Sequence, residues 1–194
     1  MSRLRLARVL SVAVAVSTPA FAQDAGSAPG PTGFRGDYLH GIGRLEEQIV
    51  SLEQAMPQAK FTWHPKDARS VAEVYLHVAG GIYFLMGQIG HAPPADVKAL
   101  MEAKKWEAQT TKKDEIKTIL TNAFAFLRQA VTDTSDADLD KTVKMFGSEF
   151  SQRAVFMIVA AHCAEHLGQS IAYARVNGIA PPWSKPDPKA KDKD

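Results

Sequence analysis

The chain has 194 residues, of which 45% are hydrophobic and 23% charged, a composition typical of a one-domain globular protein. The formal net charge is only +2, so the sequence lacks the strong basic field that nucleic-acid binding requires. A single cysteine, Cys163, excludes an internal disulfide.

The N-terminus, MSRLRLARVLSVAVAVSTPAFAQ, has the layout of a secretory signal peptide. Three arginines precede an apolar stretch over residues 9–16, and small residues follow at Ala20 and Ala22. The apolar stretch is too short to span a bilayer core of about 30 Å. We therefore expect a signal peptide over residues 1–22, cleavage after Ala22, and an exported mature protein, periplasmic or secreted, with no membrane association.

Both ends of the mature chain are predicted to lie outside the fold. Residues 23–33 are rich in glycine, proline, alanine and serine, which is typical of a flexible linker. Residues 184–194, SKPDPKAKDKD, are charged and interrupted by proline, which is typical of a disordered tail. The globular domain is expected over residues 34–183.

Four segments of this domain have apolar residues at helical spacing, and no segment alternates for long enough to predict a convincing sheet. The first covers about residues 37–56. The second begins at Ser70, where SVAE predicts a capping box, and ends before Gly90. The others cover about residues 112–131 and 149–176.

This pattern predicts an all-α fold, a four-helix bundle. The stretch of residues 87–111 between the second and third helices is unusually long. It predicts a crossover or lid connection with a short helix near residues 97–105. The sequence KTVKMF before the last helix is compatible with a short extended piece.

The last helix carries polar side chains within an apolar seam. Its inward positions follow in steps of four and three residues: Val155, Val159, His162, His166, Gln169 and Tyr173. His162 and His166 project within about 40° of each other around the helix. Because buried polar groups need partners, this pair predicts a metal site with a further ligand from a facing helix.

His77 is the candidate for that further ligand, because it lies on the inward face of the second helix. The other three histidines are near a helix start or in loops: His40, His64 and His91. A histidine on an apolar face is also compatible with an ordinary core residue that is hydrogen bonded to a carbonyl, and this alternative stays open at the sequence level.

Other residues near the three histidines are candidates for a supporting role. Gly80 and Gly81 each disfavour a helix by about 1 kcal/mol relative to alanine, which predicts a close approach of a helix or a ligand. Gln169 and Tyr173 can either orient the imidazoles or pack as ordinary core residues. Cys163 lies about 100° around the helix from His162 and is expected to pack rather than bind metal.

The sequence HCAEH, His162 to His166, also matches the H-x-x-E-H pattern of some metalloproteases. Such an enzyme needs an acidic ligand further along a large catalytic domain. The short stretch after His166 consists mostly of turn and tail, so a protease is not expected.

Three sequence pieces resemble the DinB-like (DinB/YfiT) superfamily. They are W-x-P with R-S-x-x-E-x-x-x-H ending at His77, H-x-x-x-H-x-G-Q from His162 to Gln169, and Y-x-R-x-x-G-x-x-P-P from Tyr173 to Pro182. The resemblance covers about residues 38–183. It implies a four-helix bundle, in many members a homodimer, and a divalent metal, commonly zinc or nickel, held by His77, His162 and His166.

The resemblance also implies activities. Some members are thiol S-transferases or thiol-dependent maleylpyruvate isomerases, whereas many have no known activity. Export separates this chain from the mainly cytosolic thiols that those enzymes use.

Three neutral imidazoles leave at least one coordination position open, which a catalytic metal needs. The sequence therefore predicts an exported, metal-dependent hydrolase or transferase acting on a small molecule that the sequence does not identify. The alternatives are a metal-binding bundle without catalysis and a metal-free bundle that acts through a protein partner. No pair of a nucleophile and a base is evident from spacing.

Overall fold

The structure is a computed structural model that describes residues 30–184. The predicted signal peptide, most of the predicted linker and the tail from residue 185 lie outside the described residues and stay predictions. The described elements are α1 (Gly33–Ala55), a 3-10 turn (Gln58–Lys60), α2 (Val71–Gln88), α3 (Ala95–Glu102), α4 (Lys113–Asp133), β1 (Thr142–Met145), β2 (Ser148–Ser151) and α5 (Gln152–Val176).

Four long helices form the bundle, which confirms the predicted all-α fold. α2 packs against α4 and α5, and α1 packs against the same two helices. Going around the core, α1 and α2 therefore alternate with α4 and α5, and α2 is a direct neighbour of α5. The short α3 lies within the long crossover between α2 and α4, in agreement with the predicted connection.

The start of α2 follows from its sequence. The Ser70 hydroxyl accepts a hydrogen bond from the Glu73 backbone N–H at 3.2 Å, and the Ser70 backbone N–H donates to the Glu73 carboxylate at 2.6 Å. This capping box satisfies two N–H groups that the first helical turn would otherwise leave unpaired. The residue before this cap, Arg69, is exposed.

The last helix begins later than expected. The apolar spacing predicted a start near residue 149, but residues 148–151 form β2, which pairs with β1 in an antiparallel hairpin. The two-residue turn places Phe146 at φ 52° and Gly147 at φ 77°, the positive values that match the twist of a hairpin. The Ser151 hydroxyl then accepts a hydrogen bond from Ala154 N–H and caps α5.

α1 begins earlier than expected, at Gly33 rather than near residue 37. Its first turn is held from outside the helix, because Arg35 forms an ion pair with Asp136 at 2.9 Å. Phe34 also stacks on Tyr38, one helical turn further on.

Among residues 30–184, no helix combines the length and the apolar character needed to cross a bilayer.

Candidate metal centre

Three histidines meet between α2 and α5. His77 of α2 and His162 and His166 of α5 each present a ring nitrogen, and these three atoms lie within 4.8 Å of one another. The ring centroids are 4.6–5.0 Å apart. The structure therefore brings together the three histidines singled out from the sequence, close enough for their nitrogens to share one metal ion.

The close approach of the two helices depends on glycine. A Cβ atom on Gly81 would overlap Nε2 of His162 and would lie 2.8 Å from its Cδ2 atom. On the neighbouring position, a Cβ on Gly80 would lie 2.6 Å from Nε1 of Trp106, which donates a hydrogen bond to the Leu76 carbonyl. The predicted close approach at these glycines is confirmed: one admits a histidine ring and the other an indole.

A carboxylate from the crossover fixes the ring of His77. Nδ1 of His77 lies 2.7 Å from Oε1 of Glu107, and the ionised carboxylate is an acceptor only, so Nδ1 carries the proton and donates. Arg69 holds Glu107 from the other side, with its Nε 2.7 Å from Oε2. Nε2 of His77 is therefore the unprotonated ring nitrogen, and its lone pair is free to bind a metal.

The pKa values of Glu107 and His77 both differ from the ordinary values of these side chains. Partial burial by itself raises the pKa of Glu107, but the hydrogen bonds from Arg69 and His77 outweigh it, and the net result is a lowered pKa. Burial is the largest cause of the lowered pKa of His77; the charges of Arg69 and His166 add to it, and the contact with Glu107 opposes it. At neutral pH an ionised Glu107 therefore faces a neutral imidazole, which is the form that binds a metal.

A second chain of hydrogen bonds fixes His166, and it ends on the same residue. The Arg69 carbonyl can only accept, so the Tyr173 hydroxyl donates to it at 3.2 Å. The Gln169 amide N–H donates to the Tyr173 oxygen at 2.9 Å, which turns Oε1 of Gln169 toward Nδ1 of His166 at 2.8 Å. Nδ1 of His166 therefore carries the proton, and its Nε2 is free.

The ring of His162 has a different environment. Its Nε2 is buried and has no hydrogen-bond partner among the described residues. Burial, followed by repulsion from His166 and His77, lowers the pKa of His162 to about 4, and the smaller raising effects of the His77 backbone and of Glu165 do not offset this. A neutral ring with a buried, unpaired nitrogen beside two oriented imidazoles fits a metal ligand, because such a nitrogen is otherwise destabilising.

The remaining sequence candidates lie elsewhere. The His64 ring contacts the Pro65 carbonyl, and the His91 ring contacts the Thr134 hydroxyl, so neither belongs to the group. Glu165 is exposed on α5 and is not a member of the histidine group, which removes the basis for the protease pattern. Cys163 is fully buried, and burial raises the pKa of its thiol to about 12, so it packs as a neutral side chain as expected.

Sequence reasoning missed Glu107, Trp106 and the role of Arg69. Glu107 and Trp106 lie in the irregular crossover, where no periodicity marks an inward position. Arg69 belongs to the R-S-x-x-E sequence, but its hydrogen bonds with Glu107 and with Tyr173 depend on tertiary structure.

A cavity of about 550 Å³ opens beside the histidines. His77, His162 and Glu107 form its polar end, and the rest of its wall is mostly apolar. The volume lies within the range of about 300–1,000 Å³ that is usual for small-molecule sites.

Comparisons with known proteins agree with this arrangement. The family model described as the DinB superfamily matches residues 43–170, about two thirds of the chain, and all three histidines lie within that range. The chain belongs to the DinB superfamily.

The crystal structure of a DinB-like protein from Bacillus cereus ATCC 10987 is similar, with a TM-score of 0.66. The two sequences are 15% identical, and the match covers 77% of this chain and 97% of that one. At this identity the likeness concerns the fold alone. No curated protein matches the sequence.

Proposed function

We propose that the protein binds one divalent metal ion, zinc or nickel, through His77, His162 and His166. The observation that carries the proposal is the convergence of three ring nitrogens within 4.8 Å. Imidazole nitrogen is a favoured ligand for both metals. The unpaired Nε2 of His162 is the buried polar atom that a bound ion would satisfy.

The supporting residues suit this role. Glu107 and Gln169 hold protons on the Nδ1 atoms of His77 and His166, so each ring is restricted to one tautomer. The lowered pKa values of His77 and His162 keep both rings neutral, so a metal does not compete with protons at neutral pH.

We further propose that the metal-bound protein is a hydrolase or a transferase that acts on a small molecule. A metal held by three imidazoles keeps a position open and supplies Lewis acidity there. The open cavity beside the histidines supports this part of the proposal, since a purely structural site is closed by four protein ligands. Glu107 contributes the carboxylate of the cavity wall and remains ionised against Arg69.

Metal content tests the proposal. The untagged protein is measured by elemental mass spectrometry beside His77→Ala and His162→Ala, with His64→Ala as the control, because His64 lies outside the group. We expect about one ion per chain in the parent and in the control, and loss of the ion in both site variants. Absence of metal from the parent after incubation with zinc or nickel would overturn the proposal and leave the histidines as packing residues.

Export and assembly are separate proposals. We propose that the chain is cleaved after Ala22 and acts in the periplasm or outside the cell, because its N-terminus has the order of regions found in signal peptides. Intact-mass measurement of protein from the periplasmic fraction should give a chain that starts at Gln23. A homodimer, proposed from the resemblance, is tested by light scattering after size exclusion.

A further inference from the structure

The cavity beside the histidines has an apolar wall that metal binding does not require. Its wall includes Phe84 and Leu85 of α2, Met101 of α3, Ile158 of α5 and Phe146 of the hairpin turn. Four separate parts of the chain therefore contribute apolar side chains to one concave surface. A cavity of about 550 Å³ has room for a body larger than a water molecule or a small inorganic ion.

Two aromatic rings stand exposed at this cavity. Phe84 is 41% exposed and Phe146 is 70% exposed, and their ring centroids lie 6.0 Å apart. Aromatic side chains gain free energy when a ligand covers them, and neighbouring exposed rings are often part of a binding site. Both rings line the cavity, so a ligand within it would remove them from water.

Two residues of the wall have an unusual backbone conformation. Phe146 has φ 52° and Lys104 has φ 56°, and only one other non-glycine residue among those described, Asp67, has a positive φ. The positive φ of Phe146 belongs to the hairpin turn, and that of Lys104 to the left-handed residue that follows the end of α3. Lys104 follows α3 in the crossover, so the hairpin and the crossover each place one of these residues at the cavity.

The charges at the cavity favour an anion. The Lys104 ammonium forms no ion pair with any residue in the described range 30–184. The single carboxylate of the wall, Glu107, is already paired with Arg69. A metal ion on the three histidines would add positive charge at the polar end.

We propose that this cavity binds a small carboxylic acid with an apolar, ring-sized body. The metal ion on the histidines attracts the carboxylate to the polar end, Lys104 adds a positive charge elsewhere in the cavity wall, and Phe84 and Phe146 cover the body. The inference rests on the proposed metal site, because the ion supplies part of the attraction for the carboxylate. It defines a substrate class that the three histidines alone do not define.

Isothermal titration of the zinc-loaded protein tests the two halves of the ligand separately. The probes are 4-phenylbutanoate, butanoate, which lacks the ring, and 4-phenylbutan-1-ol, which lacks the carboxylate. We expect 4-phenylbutanoate to bind at least about tenfold more tightly than either of the others, because each half adds its own contacts. Equal affinity for 4-phenylbutanoate and butanoate would overturn the apolar part of the proposal.

Variants locate the binding. Phe146→Ala and Lys104→Gln should each weaken 4-phenylbutanoate binding by about three- to tenfold, since each removes one contact with the ligand. Trp183→Ala, an exposed aromatic away from the cavity, and Lys98→Gln, an exposed lysine of α3, are the matched controls and should leave the affinity unchanged. Equal losses in the variants and the controls would overturn the assignment to this cavity.

Metal content is measured in the same samples, so that the two proposals fail in different ways. A metal-loaded parent that does not bind 4-phenylbutanoate would contradict the substrate class and leave the metal site standing. A parent that holds no metal would overturn both. Phe146 and Lys104 are exposed and are not part of the histidine group, so their variants should fold and keep the metal.

Discussion

Gly81 is the residue on which the distance between α2 and the His162 ring depends. We predict that Gly81→Ala lowers metal affinity by at least about tenfold, because the new methyl group occupies the place of the imidazole, and well-packed sites tolerate little added volume. Titration with a competing chelator measures the affinity.

Gly87 provides the control for this change. It lies in the same helix, and a Cβ atom there would have no atom within 4 Å apart from the neighbouring backbone of its own helix. Gly87→Ala should keep the parent's metal affinity and should not destabilise the helix, since alanine is the better helix former. Equal affinity in the Gly81→Ala and Gly87→Ala variants would contradict the close packing described for His162.

Glu53 of α1 is fully buried and is not part of the metal centre. Its Oε1 atom has no hydrogen-bond partner among the described residues, and burial raises the pKa of its carboxyl to about 7. Between the ordinary pKa of 4.5 and about 7, the folded chain therefore keeps a proton that the unfolded chain has released. The contribution of Glu53 to stability is present below pH 4.5 and is lost as the pH rises through about 7.

We predict that Glu53→Gln gains stability relative to the parent as the pH rises from 4.5 to 8, because glutamine has no proton to lose. The free energy of unfolding is measured with urea at pH 4 and pH 8. Glu47→Gln, an exposed change on the same helix, should show a smaller pH dependence relative to the parent. A constant difference between Glu53→Gln and the parent across this range would show that the carboxyl is not perturbed.

At the scale of elements, the crossover between α2 and α4 supports the candidate metal centre from outside the bundle. Glu107 holds the His77 ring, and Trp106 is anchored to α2 through the Leu76 carbonyl at 2.6 Å. The connection therefore does more than join two helices, because it restricts a predicted ligand to one tautomer.

We predict that Glu107→Ala weakens metal binding by about 10–100-fold, the usual effect of removing such a supporting partner. Glu107→Gln should fall between Ala and the parent, since its amide oxygen can still accept from Nδ1 of His77 but carries no charge. Chelator competition measures both variants, with Glu102→Gln on α3 as the control. An unchanged affinity in Glu107→Ala would mean that His77 needs no support from the crossover.

The helices could be predicted from the sequence better than the crossover and the hairpin. The three histidines could be found because helical periodicity places His162 and His166 on one face and His77 on a facing helix. The contribution of Glu107 could not, because an irregular connection has no period from which a direction can be read. The start of α5 was misplaced because residues 148–151 are too few to show a strand pattern, and pairing with residues 142–145 decides their structure.

At the scale of the whole molecule, the three histidines come from α2 and α5, which are distant in sequence, so an ion bound to all three would link these two helices. A metal that binds the folded chain, but not the unfolded one, stabilises it by about 2.7 kcal/mol at a free concentration 100 times its Kd. For a domain of this size we predict that the melting temperature rises by about 5–10 °C on zinc addition.

Differential scanning calorimetry of metal-free and zinc-loaded protein measures this shift. His162→Ala should show no comparable rise, because it removes one of the two proposed ligands on α5. An equal rise in that variant would place the stabilising ion at another site.

Cys163 makes α5 open to direct observation. The thiol is the only one in the chain, is fully buried, and follows the candidate ligand His162 in sequence. An alkylating reagent reacts with the thiolate, which requires the side chain to leave the core and reach water. The rate of alkylation under native conditions therefore reports how readily this part of the helix opens, and an ion held by His162 and His166 should lower that rate.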